Sequence, residues 1–473
     1  MAIRRALART RGRASAVLVP GLLASLLMPL SNAQAADSDV LSMESYIRPV
    51  NAEPLGLAAL QRQSTRSALG SLSKEEGIKA LLPRETVGPA RTFAPLMAEE
   101  SARDQSPIRK PLSTAGPAAV TLPEPPRTMT PQECVVGLAT KVSYIKSRYA
   151  LCSGKQFDQV WLRNGRPVGT SHFDVLAIGT IPANSRTITI TYHFTDFTAA
   201  GDNGAAAMGI TTKGGIAQSW PSTAKYTQGG VSMPYTRTWS QLLGTDTFKH
   251  TVTAAPGQGY TGMKADLLSA VYVPNISIKA PPTWTTEPIT GGDLFMLPPR
   301  WDKAEYLPNA AAGAATWAVV TPLRYSTATD APEREVALHI QKAFTQPGKT
   351  QPPMAKKNVP GQNADAPLTR LYWDDKRREQ NRNRSVYNCQ KYFGEDYATS
   401  AGYDRECDEY PMAATYQGSV WSDHDGLAEP GNFSVMALKK EHNQAAGNLL
   451  GQFYNKNRIL DGPDDGFLVE ITS

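Results

Sequence analysis

The chain has little of what would declare a function at first sight. Its 473 residues hold four cysteines and six histidines, and no Cys-x-x-Cys occurs among them. Neither cysteine pair has two histidines beside it, which argues against a structural zinc site, because such sites draw four Cys or His ligands at short spacings. His172, His193 and His250 are scattered without acidic neighbours and read as residues on strand faces. Beyond Leu30 no stretch is apolar enough to span a bilayer, which takes about 20 apolar residues in a row. Net charge is nearly missing too: five charges of the formal +6 belong to Arg4, Arg5, Arg9, Arg11 and Arg13, and the rest of the chain carries +1. A global electrostatic pull on nucleic acid is thereby excluded, and only local basic patches can act that way.

What is present begins with those arginines. They precede the apolar run Ala16–Leu30, and Ala33-Gln34-Ala35 offers a small-residue cleavage site, the layout of an export signal. Pro20, Gly21 and Pro29 interrupt the run, which weighs against a retained membrane anchor. The expectation is cleavage before Ala36, a secreted or periplasmic location and no stable anchor afterwards. In an oxidising compartment Cys134 with Cys152 and Cys389 with Cys407 are expected to form two local disulfides.

Residues 1–35 thus read as a signal peptide, and 36–131, rich in Ala, Ser, Pro and charge, as a mostly unstructured lead-in or pro-segment. From 132 to 280 bulky apolar residues alternate with polar ones, as in Thr187-Ile188-Thr189-Ile190-Thr191-Tyr192-His193-Phe194, which predicts half-buried antiparallel strands. Asn164-Gly165 between two extended runs predicts a hairpin. Prolines recur through 281–322 and predict a connector with little regular structure. From 323 to 473 helix and strand signals mix without a βαβ rhythm, so the last unit is α+β. Val336, Ile340, Ala343 and Phe344 form a helical stripe after Pro332, a helix is expected from His442 to Tyr454, and a strand over Phe467–Ile471.

Three features in that unit can carry chemistry. Asp404-Arg405-Glu406-Cys407-Asp408-Glu409 packs four carboxylates into six residues, a density that invites a cation unless the loop is simply exposed and solvated. Pro411 and Met412 pin the acids beside a core. Lys376, Arg377, Arg378, Arg382 and Arg384 crowd together with Tyr372, Trp373 and Tyr387, a mixture suited to a phosphate backbone and equally to a solvated helix face. Gly447 and Gly451 lie four apart in a helix, where glycine costs about 1 kcal/mol each against alanine, so close approach of another backbone, a metal or a nucleic acid is one explanation and plain helix packing the other.

Taken in order, Asp375-Lys376-Arg377-Arg378-Glu379, then Gly402-Tyr403-Asp404-Arg405 with Asp408-Glu409-Tyr410-Pro411-Met412-Ala413, Asn443 followed by Gly447 and Gly451, and Asp461-Gly462 before the last strand resemble the secreted deoxyribonucleases of the NucA/NucB type. The helix ending His339-Ile340-Gln341-Lys342-Ala343 resembles that family's opening helix. The resemblance covers about residue 323 to the end. It implies a small α+β nuclease domain related to the ββα-metal enzymes, with an acidic residue where those carry a histidine base, and a divalent metal, Mg²⁺ or Mn²⁺. Residue by residue it implies Asp408, Glu409 and Asp375 as catalytic acids, Glu409, Asn443 and Asn448 as metal ligands, and Lys376, Arg377, Arg378 and Arg405 as contacts to DNA phosphate. Cys407 directly before the acid pair, the long loop between Asp375 and Asp408 and the large N-terminal half depart from the family's shortest members.

The expected function is therefore an exported, metal-dependent endonuclease acting on DNA with little sequence specificity, a monomer that an inhibitor protein can meet as partner. His424 and His442 remain alternative bases. Two other functions are carried alongside: a secreted β-domain binding protein or adhesin with an inactive nuclease-like C-terminal domain, and an antibacterial nuclease toxin.

Overall fold

The computed structural model describes residues 39–50, 52–62, 120–139, 141–260, 265–286, 292–426 and 428–473. The expected signal peptide and most of the lead-in lie outside them.

The alternating segments form long strands. β1 (Leu41–Arg48) runs antiparallel to β2 (Ala150–Arg163), β2 to β3 (Arg166–Thr180), β3 to β4 (Thr187–Gly201) and β4 to β5 (Thr247–Ala254). Asn164 and Gly165, both at positive φ, close the β2–β3 hairpin as a primed two-residue turn requires. The sheet continues from β5 to Tyr226–Gly230 and from β1 to Thr285–Thr286. Ile188, Ile190, Tyr192 and Phe194 of β4 point into the largest core with Phe157, Trp161 and Phe173.

β1 comes from the stretch read as unstructured. Its apolar residues do not alternate regularly, but Met43 reaches the main core and the long β2 supplies a complete backbone partner, so pairing compensates for weak side-chain patterning. A helix, α1 (Pro131–Leu138), follows the lead-in; Thr130 and Glu133 satisfy each other's backbone N–H groups as a capping box. The first disulfide, Cys134–Cys152, ties α1 to β2.

Besides Thr285–Thr286, the proline-rich stretch holds β6 (Pro299–Asp302) and β7 (Ala314–Trp317), paired with each other in a sheet that also contains Leu268–Tyr272 and Ile216–Trp220. The proline pattern hid them because Pro299 is the first strand residue, where a missing N–H costs least, and because Trp301 and Trp317 are completely buried and anchor the pair.

In the C-terminal region β8 (Thr321–Ser326) lies parallel to the chain's last strand, with β9 (Leu368–Thr369) antiparallel on that strand's other side. Around them pack α2 (Arg334–Thr345), α3 (Asp375–Phe393), the two-stranded hairpin β10 (Arg405–Tyr410) and β11 (Ser434–Lys439), and α4 (Lys440–Lys456); β12 (Gly466–Thr472) ends the chain. A core of Leu323, Tyr325, Val336, Ile340, Tyr410, Leu449, Phe453 and Phe467 joins them. The second disulfide, Cys389–Cys407, fastens α3 to β10.

Val40–Ser473 form one compact unit. Its two halves are welded by buried ions. Asp465, from the loop before β12, takes Arg148 at 2.5 Å and Arg300 at 2.6 Å, Arg458 pairs with Asp302, and Arg148 also donates to the Asn457 carbonyl at 3.0 Å. Burial would raise Asp465, yet Arg148 and Arg300 hold it below the usual carboxylate range. Residues 120–124 lie along α4, where Gln452 bonds both the Leu122 N–H and the Val120 carbonyl.

Candidate active site

Side chains alternate across a strand, so neighbours on β10 serve different faces. Cys407 and Glu409 face α3; Cys407 is bridged to Cys389 there, and Arg382 is the cation that acts on Glu409. Glu406, Asp408 and Tyr410 face α2 and α4. Glu406 accepts from the Asn443 amide at 3.0 Å and the Gln444 amide at 3.1 Å, both at the start of α4. Asp408 Oδ2 meets His339 Nδ1 of α2 at 2.5 Å, and Tyr410 closes the core beneath them.

Glu409 is half-buried and accepts the Ala413 N–H at 3.1 Å. Burial, and next the neighbouring Asp408 charge, push it up to about 7; the Ala413 bond and Arg382 oppose this without cancelling it. The turn behind it is held by a residue that sequence reasoning passed over. Asn381 is fully buried, donates to the Ala413 and Thr415 carbonyls at 3.0 and 3.3 Å, and accepts from Val420 N. A polar residue amid the α3 arginines gave no signal that it faces inward.

The other expected residues are dispersed. Asp375 sits in the first turn of α3 in an ion pair with Arg378, two turns before Arg382, and is not brought to β10. Arg377 is 8% exposed and donates to the Tyr416 carbonyl at 2.5 Å, so it ties α3 to the turn instead of facing a substrate. Lys376 is exposed; Arg378 is half-buried near Tyr372, and burial with the like charges of Arg382 and Arg370 lowers its pKa. Arg405 donates to the Tyr403 hydroxyl at 3.1 Å. Asn448 is exposed, and a Cβ added at Gly447 or Gly451 would meet open space, so no described neighbour explains these glycines by close approach. His442 Nδ1 accepts from Glu335 N, and His424 bonds Gln380.

The expected metal ligands therefore do not converge: Glu409 faces α3, Asn443 is bonded to Glu406, and Asn448 points outward. Among the described residues no group of three or more His, Cys, Asp or Glu side chains is placed to hold a metal. The donors that do converge are Glu406, Asn443 and Gln444. With the amides turned to present their oxygens they offer only oxygen donors, and one or two carboxylates with water and substrate oxygens is the donor set Mg²⁺ favours.

The hairpin bears carboxylates on both faces, with amides from the following helix on one side and an arginine-rich helix on the other, and acids beside cations are what phosphodiester hydrolysis draws on. Residues 356–469 match the family model described as Deoxyribonuclease NucA/NucB, and the C-terminal region is a domain of that family. The match leaves α2 and everything before it outside. No curated protein and no solved structure matches the chain.

Proposed function

We propose that the protein is an exported, metal-dependent endonuclease that hydrolyses DNA with little sequence specificity. The observation that carries this reading is the juxtaposition, inside the family-matched region, of Asp408 with the Glu406–Asn443–Gln444 corner on one face of β10. Asp408 and Glu406 are two apart on a strand, roughly 7 Å along it, close enough to serve one phosphate and its attacking water.

In this reading Asp408 accepts a proton from water as the water oxygen bonds to phosphorus and the bond to the leaving sugar oxygen breaks. A divalent ion held by Glu406, Asn443 and Gln444 would, when bound, supply charge stabilisation to the phosphate. Arg382 adds positive charge on the α3 side of the hairpin, and Lys376 and Arg378, earlier on that helix, extend it as contacts to the DNA backbone that read no bases, in keeping with low specificity. Glu409 keeps Arg382 oriented and the Pro411–Thr415 turn closed. Two disulfides and the leader favour export, and among the described residues no helix is long and apolar enough to cross a membrane. Plasmid degradation by the mature chain with Mg²⁺ or Mn²⁺, blocked by chelator, is the expected result. No degradation with either metal would refute the reading.

A further inference from the structure

Behind Asp408 lies a hydrogen-bond chain that the proposed chemistry does not yet use. His339, in the middle of α2, is 1% exposed and engaged at both ring nitrogens: Nδ1 lies 2.5 Å from Asp408 Oδ2 and Nε2 2.6 Å from Ser434 Oγ. Ser434 is completely buried on β11, opposite Tyr410. An ionised carboxylate only accepts, so Nδ1 donates to it, and the serine hydroxyl can turn to suit Nε2. The network therefore fixes the ring plane, and through it the rotamer of Asp408.

The position itself argues for more than packing. His339 interrupts an otherwise apolar α2 face, where Val336, Ala337, Ile340 and Ala343 are all buried in the same helix. An aliphatic residue would fill such a site without the desolvation that an imidazole must recover through its bonds. One of those bonds goes to Asp408, the acid proposed above to take the proton from water, and the other to Ser434, while His339 lies outside the family-matched segment.

We infer that His339, backed by Ser434, is a positioning residue that holds the Asp408 carboxylate in its catalytic orientation, so the working nuclease unit extends upstream to include α2. The inference rests on the nuclease reading above.

The test compares the full mature chain with His339→Ala, His339→Asn, Ser434→Ala and Asp408→Asn in steady-state cleavage of duplex DNA, with DNA affinity in EDTA and thermal unfolding measured alongside. An asparagine amide can reach about where Nδ1 sits, so it should restore the donor. The expected result is a kcat loss on the order of 100-fold in His339→Ala, the scale of a misplaced catalytic group, with KM and DNA affinity within about threefold and at least tenfold recovery in His339→Asn. Should His339→Ala not fold, Ser434→Ala and His339→Asn carry the test through the same split between kcat and KM. Wild-type kcat in His339→Ala, or no recovery in a folded His339→Asn, overturns the inference while Asp408→Asn remains inactive. Full activity in Asp408→Asn instead overturns the nuclease reading at this strand, and the positioning role falls with it.

Discussion

Asp408 and Glu409 are adjacent in the chain and turn to opposite faces of β10, the first bonded to His339 of α2 and the second to the Ala413 N–H beside α3. They do not gather one cation between them. Each is instead part of a separate arrangement, Asp408 with His339 of α2 and Glu409 with Arg382 of α3, and the hairpin joins the two.

That division gives Glu409 a distinct pH signature. Its folded pKa of about 7 stands above the ordinary value of 4.5, so the folded state favours the protonated form. Its contribution is fully present below the ordinary value and is lost as pH rises through about 7. Glu409→Gln should therefore flatten the decline in stability between about pH 4.5 and 7, measured by urea denaturation across that window. An unchanged slope would show that Glu409 titrates normally.

The weld between the halves predicts a cooperative molecule. Removing one member of a buried ion network leaves its partners uncompensated, at a cost of about 3–5 kcal/mol. Asp465→Ala should lower stability by that amount in equilibrium unfolding while the transition stays single. Because Asp465 is held below its ordinary value, its stabilisation is complete above that value and is lost as pH falls below it, through the lowered folded pKa. A loss under about 1 kcal/mol, or two separate transitions, would contradict the weld.

The Cys389–Cys407 bridge closes a loop with a sequence separation of 18 and fixes β10 on α3. Replacing both cysteines by serine should cost about 3 kcal/mol on chain-entropy grounds. The accompanying loss of nuclease activity should recover when the assay is run well below the shifted melting temperature. Activity that stays absent in the folded double variant would assign the bridge a direct part in the site.

Much of this was legible in the sequence, for identifiable reasons. The β4 alternation and the Asn164-Gly165 turn act locally, so pattern alone placed them, and the paired spacing of the cysteines anticipated both bridges. The α4 helix and the last strand followed their periodicities. What stayed hidden depended on tertiary partners. Met43 could be placed in a strand only by knowing β2, Trp301 and Trp317 outweighed the prolines around them, Arg377 read as a phosphate contact beside Lys376, and Asn381 gave no signal until the turn at Ala413 folded against them. The strand alternation that separates Asp408 from Glu409 was available in principle, but a cluster of charges reads as a loop until its partner strand Ser434–Lys439 is recognised.

The glycines of α4 offer a further check. Since a Cβ at Gly447 meets open space, Gly447→Ala should stabilise the free protein by about 0.5–1 kcal/mol through helix propensity. If the open face admits nucleic acid, the same variant loses DNA affinity by several-fold in EDTA. Stabilisation with unchanged affinity would make Gly447 a helix defect without a role in binding.

The most direct measurement is cleavage of supercoiled plasmid by the purified mature chain and its Asp408→Ala variant, each with Mg²⁺ or Mn²⁺ and with EDTA, with folding of the variant verified by circular dichroism. Metal-dependent cleavage by the parent, with a loss of at least about 100-fold in the folded variant, is the predicted result. Equal cleavage by both, or cleavage by neither under any metal, would contradict the account.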